Sequence, residues 1–168
     1  MPREFDPEGI VRVLHENEVD CIYIGGWAAG LLGSPFPTGD VDITPKSSRE
    51  NLTRLSAALT QMEARVRAQG VEDGLPFSHD ADSLAAVGVW NLTTRFGDFD
   101  ISFVPTGTTG WDDLDRDAVT VPVYGVTARL ASLADIIRSK QAANRPKDQR
   151  VLPTLRELLA SRFTERDA

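Results

Sequence analysis

The sequence predicts an α/β (α+β) fold in a single domain, residues 1–168, whose part from about residue 132 onward is helical. Short β-prone runs alternate along the chain with segments in which apolar residues recur at helical spacing. Helix-start signals precede several of these segments, at Asp6–Pro7 and in capping boxes at 47–50 and 132–135. No repeat or interdomain linker interrupts this order, and the 168 residues suffice for one well-packed domain.

The first half of the chain predicts short elements followed by one long helix. The apolar spacing after Pro7 predicts a helix over 7–17, the run 21–24 a buried strand, and 27–32 a short helix. The glycine- and proline-rich stretch 33–39 predicts a loop, and 41–44 a strand. The capping box at 47–50 predicts the longest helix of the chain, with an apolar stripe that reaches Val66 and an end at Gly70. Residues 71–83 are expected to be irregular.

The second half predicts two strand pairs and two helices. The runs 87–95 and 99–104 flank Gly97–Asp98 and predict a hairpin, and the runs 119–123 and 126–130 predict two further strands. Between these pairs, the acidic run 112–117 is expected to be a solvated loop. The capping box at 132–135 predicts a helix to about Asn144, and 152–159 a final helix with Pro153 near its start.

Composition and charge limit the classes of function. The net charge of −7 argues against non-specific nucleic-acid binding driven by overall charge. A local basic cluster nevertheless lies near the C-terminus, comprising Arg138, Lys140, Arg145, Lys147, Arg150 and Arg156. The sequence has neither an apolar run long enough for a membrane helix nor a secretory h-region at its start. We therefore expect a cytoplasmic protein with no membrane partner, and Cys21 as a buried thiol.

Two closely spaced aspartates predict a metal site. Asp40 and Asp42 fall on one face of the predicted strand, because residues i and i+2 of a strand point the same way. Adjacent like charges are costly unless a cation lies between them, and Mg²⁺ suits carboxylates that must also handle phosphate oxygens. Gly25 and Gly26, at a strand-to-helix turn, allow backbone N–H groups to approach a phosphate. These features together predict a phosphate and metal site.

A third carboxylate, Asp100, extends this prediction. It lies in the returning strand of the hairpin among apolar neighbours, so its desolvation requires a compensating partner. A metal ion shared with Asp40 and Asp42 would be such a partner.

These motifs resemble the DNA polymerase β-like nucleotidyltransferase superfamily over roughly residues 20–160. The resemblance rests on GGWA at 25–28, on the Asp-x-Asp strand and on the later strand of Asp100. The late segments VTARLASLADIIRSK at 126–140 and RPKD at 145–148 resemble the small bacterial branch of abortive-infection type IV toxin-like nucleotidyltransferases. The resemblance implies the nucleotidyltransferase fold, a mixed β-sheet packed by helices, and transfer of a nucleoside monophosphate from a nucleoside triphosphate such as ATP to a hydroxyl.

The resemblance also implies roles for individual residues. Asp40 and Asp42 would bridge two Mg²⁺ ions, and Asp100 would hold the ion nearest the acceptor hydroxyl. Lys140 would be catalytic by neutralising triphosphate charge. The nucleotide-binding set that it implies is Gly25, Gly26, Thr38, Lys140, Arg145 and Lys147.

Three departures from the family pattern accompany the resemblance. Many relatives have Gly-Ser at the place of Gly25–Gly26, an arginine at the place of Pro37, and an aspartate at the place of Val151. The Gly-Gly-Trp-Ala form also occurs in aminoglycoside and lincosamide nucleotidyltransferases.

Three hypotheses for function follow. The first, favoured by the late segments and the basic cluster, is a toxin-type enzyme that acts on a macromolecule such as tRNA and has a cognate antitoxin. The second is an antibiotic nucleotidyltransferase with a small hydroxylated acceptor; the acidic balance favours it, and the short chain, with little room for an acceptor domain, argues against it. The third, motivated by Gly26 and Pro37, is a nucleotide- or partner-binding module without catalysis.

Overall fold

A computed structural model describes residues 3–166 of the chain. In chain order the elements are α1 (Pro7–Glu16), β1 (Cys21–Ile24), α2 (Gly25–Leu31), β2 (Asp40–Pro45), α3 (Arg49–Gln61), β3 (Arg65–Ala68), β4 (Val71–Leu75), α4 (Ala81–Ala86), β5 (Val89–Thr94), β6 (Gly97–Ser102), α5 (Trp111–Asp117), β7 (Val119–Val123), β8 (Val126–Leu130), α6 (Leu133–Ala143) and α7 (Pro146–Arg166). No helix of these described residues is long and apolar enough to cross a membrane.

The strands form one mixed sheet of eight strands in the order β4-β3-β5-β6-β2-β1-β8-β7. Strand β2 lies inside this sheet, antiparallel to β1 and parallel to β6. The short loops of the β3–β4, β5–β6 and β7–β8 pairs make antiparallel hairpins, whereas the parallel pairs β2–β6 and β1–β8 join distant segments. The mixed sheet with packed helices confirms the predicted fold class.

The core lies between the sheet and the helices packed on it. Helix α1 contacts β2, β8 and α3, and its residues Ile10 and Leu14 are fully buried because they recur on one helical face. Helix α3 buries Leu52, Leu55 and Leu59 in the same way. The sheet supplies the alternate residues of its interior strands, such as Ile43 and Phe99, which leaves the intervening polar residues on the opposite face.

Most of the predicted elements are confirmed, and the long helix is the main correction. It begins at Arg49 with Ser48 as N-cap, but it ends at Gln61, well before Gly70. Glu63 adopts a left-handed conformation (φ 55°), and the chain then enters β3, so Val66 is a strand residue. Gly70 lies in the β3–β4 turn with φ 79°. The longest helix is therefore α7, with 21 residues against 13 for α3.

Three further predictions are corrected. Residues 71–83, predicted to be irregular, contain β4 and the start of α4, which Asp80 caps. The acidic run 112–117 is helical rather than a loop, because Asp113 is buried and accepts a hydrogen bond from the Thr109 N–H while pairing with Arg138. The last helix begins at Pro146, six residues before the predicted position, and Pro153 lies inside it.

Candidate active site

The pairing of β2 with β6 brings the predicted aspartates together. The two strands are parallel, with Asp42 opposite Asp100 and Asp40 opposite Asp98. Asp40, Asp42 and Asp100 each offer a carboxylate oxygen, and these oxygens lie within 4.8 Å of one another. Since all three side chains are only half-buried, the cluster is accessible from the cavity described below.

The cluster strongly disfavours its own ionisation. Burial, followed by the charges of Asp40 and Asp100, raises the pKa of Asp42 to about 8, and Lys140 opposes this rise only weakly. Burial also raises the pKa of Asp100 to about 6, with Arg67 opposing the rise and Asp40 adding to it. A divalent cation would reverse this balance, because it favours the ionised form of every carboxylate that it contacts.

The donors present fit Mg²⁺. The set consists of carboxylate oxygens alone, which hard cations prefer. The Oδ1 atom of Asp100 is buried and makes no hydrogen bond among the described residues, although the guanidinium of Arg67 lies 2.7 Å from it. A buried acceptor without a donor is costly, and coordination of a metal ion would offset that cost.

Gly25 allows the chain to pass close to the carboxylate cluster. It has φ 73°, and a Cβ atom placed on it would lie 2.2 Å from Oδ2 of Asp42. Neither the conformation nor the distance tolerates a side chain, so the backbone at the start of α2 lies directly against the cluster. The N-cap residue, Ile24, provides no side-chain acceptor for the first N–H groups of α2.

The side chain of Thr38 packs closely against Gly26. A Cβ atom on Gly26 would lie 2.6 Å from Cγ2 of Thr38. The threonine methyl group therefore occupies the space that a serine side chain would need. A serine at position 26 would therefore require the Thr38 side chain to move.

The predicted cations lie on α6 (Lys140), in the connection between α6 and α7 (Arg145) and on α7 (Lys147), and all three line the same cavity as the carboxylates. The Nζ atom of Lys140 is 3.7 Å from Asp148, a fully buried carboxylate that also accepts a 2.8 Å hydrogen bond from Nε of Arg145. Burial alone would raise the pKa of Asp148, but the hydrogen bonds from Arg145 and the charge of Lys140 outweigh it and lower that pKa. Asp148 also accepts from the Arg145 backbone N–H, so it caps α7 and holds both cations at once.

These groups line one cavity of about 710 Å³. All residues predicted for the site line it, namely Gly25, Gly26, Thr38, Asp40, Asp42, Asp100, Lys140, Arg145 and Lys147. Pro37 and Val151, two of the departures from the family pattern, line it as well. The carboxylates and the cations thus border a shared volume, large enough for a small-molecule ligand.

Arg67 is a neighbour of the site that sequence reasoning did not identify. It lies on β3, where the sequence pattern predicts a helix, and it reaches Asp100 from two strands away. Its proximity to Asp100 follows only from strand pairing. Strand β3 pairs with β5 and β5 pairs with β6, and the registers of these pairs align Arg67 with Asn91 and Asp100 across the sheet.

Comparisons with known proteins agree with the fold. The lincosamide antibiotic adenylyltransferase LnuA, in its lincomycin-bound structure, superposes with a TM-score of 0.60 at 11% identity, over 93% of this chain and 99% of that chain. ANT(2'')-Ia in complex with adenylyl-2''-tobramycin gives 0.53 at 16% identity, over 96% and 97%. TM1012 from Thermotoga maritima, a nucleotidyltransferase by assignment, gives 0.51 at 17% identity, over 95% and 97%.

The sequence of this chain matches none of the known proteins or families with which it was compared. No family model matches the chain, and no curated protein matches it. The structural likeness, at identities of 11–17%, extends over nearly the full length of each partner. The chain therefore has the nucleotidyltransferase fold.

Proposed function

We propose that the protein is a Mg²⁺-dependent nucleotidyltransferase that moves a nucleoside monophosphate from a nucleoside triphosphate to a hydroxyl group. The observation that carries the proposal is the cavity itself, in which the oxygens of Asp40, Asp42 and Asp100 lie within 4.8 Å of one another and which Lys140 also lines. Phosphoryl transfer consists mainly of positioning and charge stabilisation, and this arrangement provides both. The fold shared with the solved nucleotidyltransferases supports the proposal.

The acidic side of the cavity would hold the metal ions and the acceptor. Asp40, Asp42 and Asp100 would hold two Mg²⁺ ions, with Asp100 on the acceptor side. Ions bound there would supply charge stabilisation for the attacking and leaving oxygens of the displacement. Asp100 accepts the acceptor hydroxyl proton at a carboxylate oxygen as the new P–O bond forms, and the bond between the α-phosphorus and pyrophosphate breaks.

The basic side of the cavity would hold the triphosphate. Lys140 and Arg145, both anchored by Asp148, neutralise phosphate charge, and Lys147 adds a cation that has no ion pair among the described residues. The backbone N–H groups at Gly25 and Gly26 contact phosphate oxygens because no side chain separates them from the cavity. Thr38 completes this wall.

The arrangement predicts that Asp148→Asn weakens nucleotide binding. Asparagine keeps the shape but loses the charge that holds Lys140 and Arg145, and a charge-assisted interaction contributes about 1.5 kcal/mol or more, so we expect a Kd for nucleoside triphosphate raised roughly tenfold. Titration with a fluorescent ATP analogue measures this, with Gln149→Ala as an exposed control on the same helix turn. A lower melting temperature with an unchanged Kd would mean that Asp148 only caps α7 and does not contribute to nucleotide binding.

The first candidate acceptor is a macromolecule such as tRNA, as in a toxin-type enzyme with a cognate antitoxin. It is supported by Lys147, Arg150 and Arg156, which are exposed on α7 and have no ion pair among the described residues. Arg150 and Arg156, which do not line the cavity, remain free for a phosphate backbone. The other members of the basic cluster contribute less, because Arg138 pairs with Asp113 and Asp135, and Lys140 and Arg145 with Asp148.

The second candidate acceptor is a small hydroxylated molecule. The cavity of about 710 Å³ supports it, since that volume lies in the range of sites for drug-sized ligands. The chain covers 99% of the LnuA chain, whose structure holds lincomycin, so the shortness of this chain no longer argues against a small acceptor.

Label transfer tests the function and separates the acceptors. Each of the four α-³²P nucleoside triphosphates is incubated with protein and Mg²⁺, together with total bacterial RNA or with a panel of aminoglycosides and lincosamides. We expect label in RNA, and none with the Asp42→Asn variant. Label in a small molecule would establish the second acceptor. Nucleotide binding with no transfer under any condition would contradict the proposed activity and favour a binding module without catalysis.

A further inference from the structure

Arg67 is a cation placed against the metal-binding carboxylates. Its strand, β3, pairs with β5, and β5 pairs with β6 so that Asn91 lies opposite Asp100. The Arg67 side chain spans β5, and its Nη2 atom lies 2.7 Å from Oδ1 of Asp100. Nη1 lies 3.7 Å from Oδ2 of Asp98, two residues away on the same face.

The guanidinium is held by the backbone rather than by Asp100. Nη1 of Arg67 donates a 2.8 Å hydrogen bond to the carbonyl oxygen of Leu92 on β5. The contact with Oδ1 of Asp100, although short, lacks hydrogen-bond geometry, and that oxygen has no other donor. The attraction between Arg67 and Asp100 is thus electrostatic, and it leaves the lone pairs of Oδ1 without a directed partner.

We propose that Arg67 is the resident counter-ion of the third carboxylate and competes with the metal ion for Asp100. The inference rests on the metal site of the proposed function. Asp40 and Asp42 form no direct ion pair among the described residues, and the charge of Lys140 acts on Asp42 only weakly, so an ion held by these two binds first and more tightly. The ion that needs Asp100 binds weakly until the guanidinium shifts, and Asp98 lies within reach as its alternative partner.

The size of the effect follows from Coulomb's law. An ion bound to Oδ1 of Asp100 would lie about 5 Å from the guanidinium, and repulsion between a double and a single charge at that distance weakens binding by about tenfold even in the dielectric of water. Arg67 also attracts Asp100 and orients its carboxylate, and this orientation would favour metal binding. Repulsion dominates because the contact is not a directed hydrogen bond, so little orientation is lost when the arginine is removed.

A Mn²⁺ titration tests the proposal on the full chain without substrates, at pH 8. Free Mn²⁺ is followed by electron paramagnetic resonance for the wild type, Arg67→Gln, Arg67→Lys and Asp100→Asn. We expect one tighter and one weaker ion in the wild type, at least a tenfold tighter second ion in Arg67→Gln, and loss of the second ion in Asp100→Asn. Arg67→Lys, with a retained charge, is expected to resemble the wild type.

Controls keep the outcomes distinct. Arg12→Gln removes an arginine that pairs with Glu8 on α1, and it is expected to leave both Mn²⁺ affinities unchanged. Melting curves in EDTA establish that each variant folds. If Arg67→Gln folds and its second Mn²⁺ affinity is unchanged or weaker, Arg67 is only a structural contact and the inference is wrong. If the wild type binds no Mn²⁺ at all, the proposed metal site fails, and this inference with it.

Discussion

Replacing Asp42 by asparagine is expected to lower nucleotidyl transfer by about three orders of magnitude while making the metal-free protein more stable at neutral and alkaline pH. The loss of activity follows because Asp42 belongs to the proposed metal cluster with Asp40 and Asp100, and charge stabilisation by a metal ion contributes several kcal/mol to a transition state. The gain in stability follows because the same carboxylate is poorly accommodated when it is ionised in the folded protein.

The pH dependence of that gain has a definite sign. The pKa of Asp42 rises from 3.8 in the unfolded chain to about 8 in the folded one. Between these values the folded state binds a proton that the unfolded state has released, so stability falls as the pH rises. The Asp42→Asn variant lacks this titration, and its advantage should therefore grow from about pH 4 to pH 8 and then level off, reaching about 2 kcal/mol or more.

Urea unfolding in EDTA at several pH values measures the difference. Adding Mg²⁺ should stabilise the wild type and leave Asp42→Asn nearly unchanged, because only the wild type retains all three carboxylates. An advantage for the variant that is constant from pH 4 to pH 9, or a variant that keeps the full response to Mg²⁺, would contradict the assignment of Asp42 to the metal cluster.

Replacing Gly25 by alanine should damage the site without removing any functional side chain. The added methyl group would lie 2.2 Å from Oδ2 of Asp42, and φ 73° is unfavourable for alanine by about 1–2 kcal/mol. We expect the carboxylate to be displaced, with Mn²⁺ affinity reduced at least tenfold and transfer reduced by about two orders of magnitude, because misplacement by about 1 Å has that effect.

Gly30→Ala is the matched control for this substitution. Gly30 belongs to the same helix, α2, but its added Cβ atom would meet nothing within 4 Å. Since alanine is the better helix former, the control should be neutral or slightly stabilising. Comparable loss of Mn²⁺ binding in both variants would mean that α2 tolerates no added methyl group, and that the contact with Asp42 is not the cause.

The carboxylate cluster could be predicted in part because two of its signals are local. The spacing of Asp40 and Asp42 fixes their common face, and the hairpin around Gly97 places Asp100 in a strand. Only the pairing of β2 with β6 lay beyond sequence patterns, since parallel strands are joined over long separations. The sequence suggested that proximity only indirectly, through the need of a desolvated Asp100 for a partner and through the resemblance to the superfamily.

Arg67 could not be predicted because the turn after α3 has no recognisable sequence signal. The apolar spacing that ends at Met62 continues to Val66, as it would in a longer helix, whereas the chain turns at Glu63 in a left-handed conformation that glutamate rarely adopts. Asp113 and Asp148 show a second limit of prediction from sequence. Each is buried and forms an ion pair, and whether an aspartate caps a helix, forms an ion pair or faces solvent depends on its neighbours in the folded chain.

The packing of Thr38 against the backbone of Gly26 has an evolutionary consequence. A serine at position 26, the form many relatives carry, would overlap Cγ2 of Thr38 at 2.6 Å unless the threonine moved or became smaller. The two positions are therefore coupled: a serine at position 26 requires the Thr38 side chain to move or to be replaced by a smaller one. Because the two residues are 12 apart in sequence and belong to different segments, the loop before β2 decides which residues fit the turn at the start of α2.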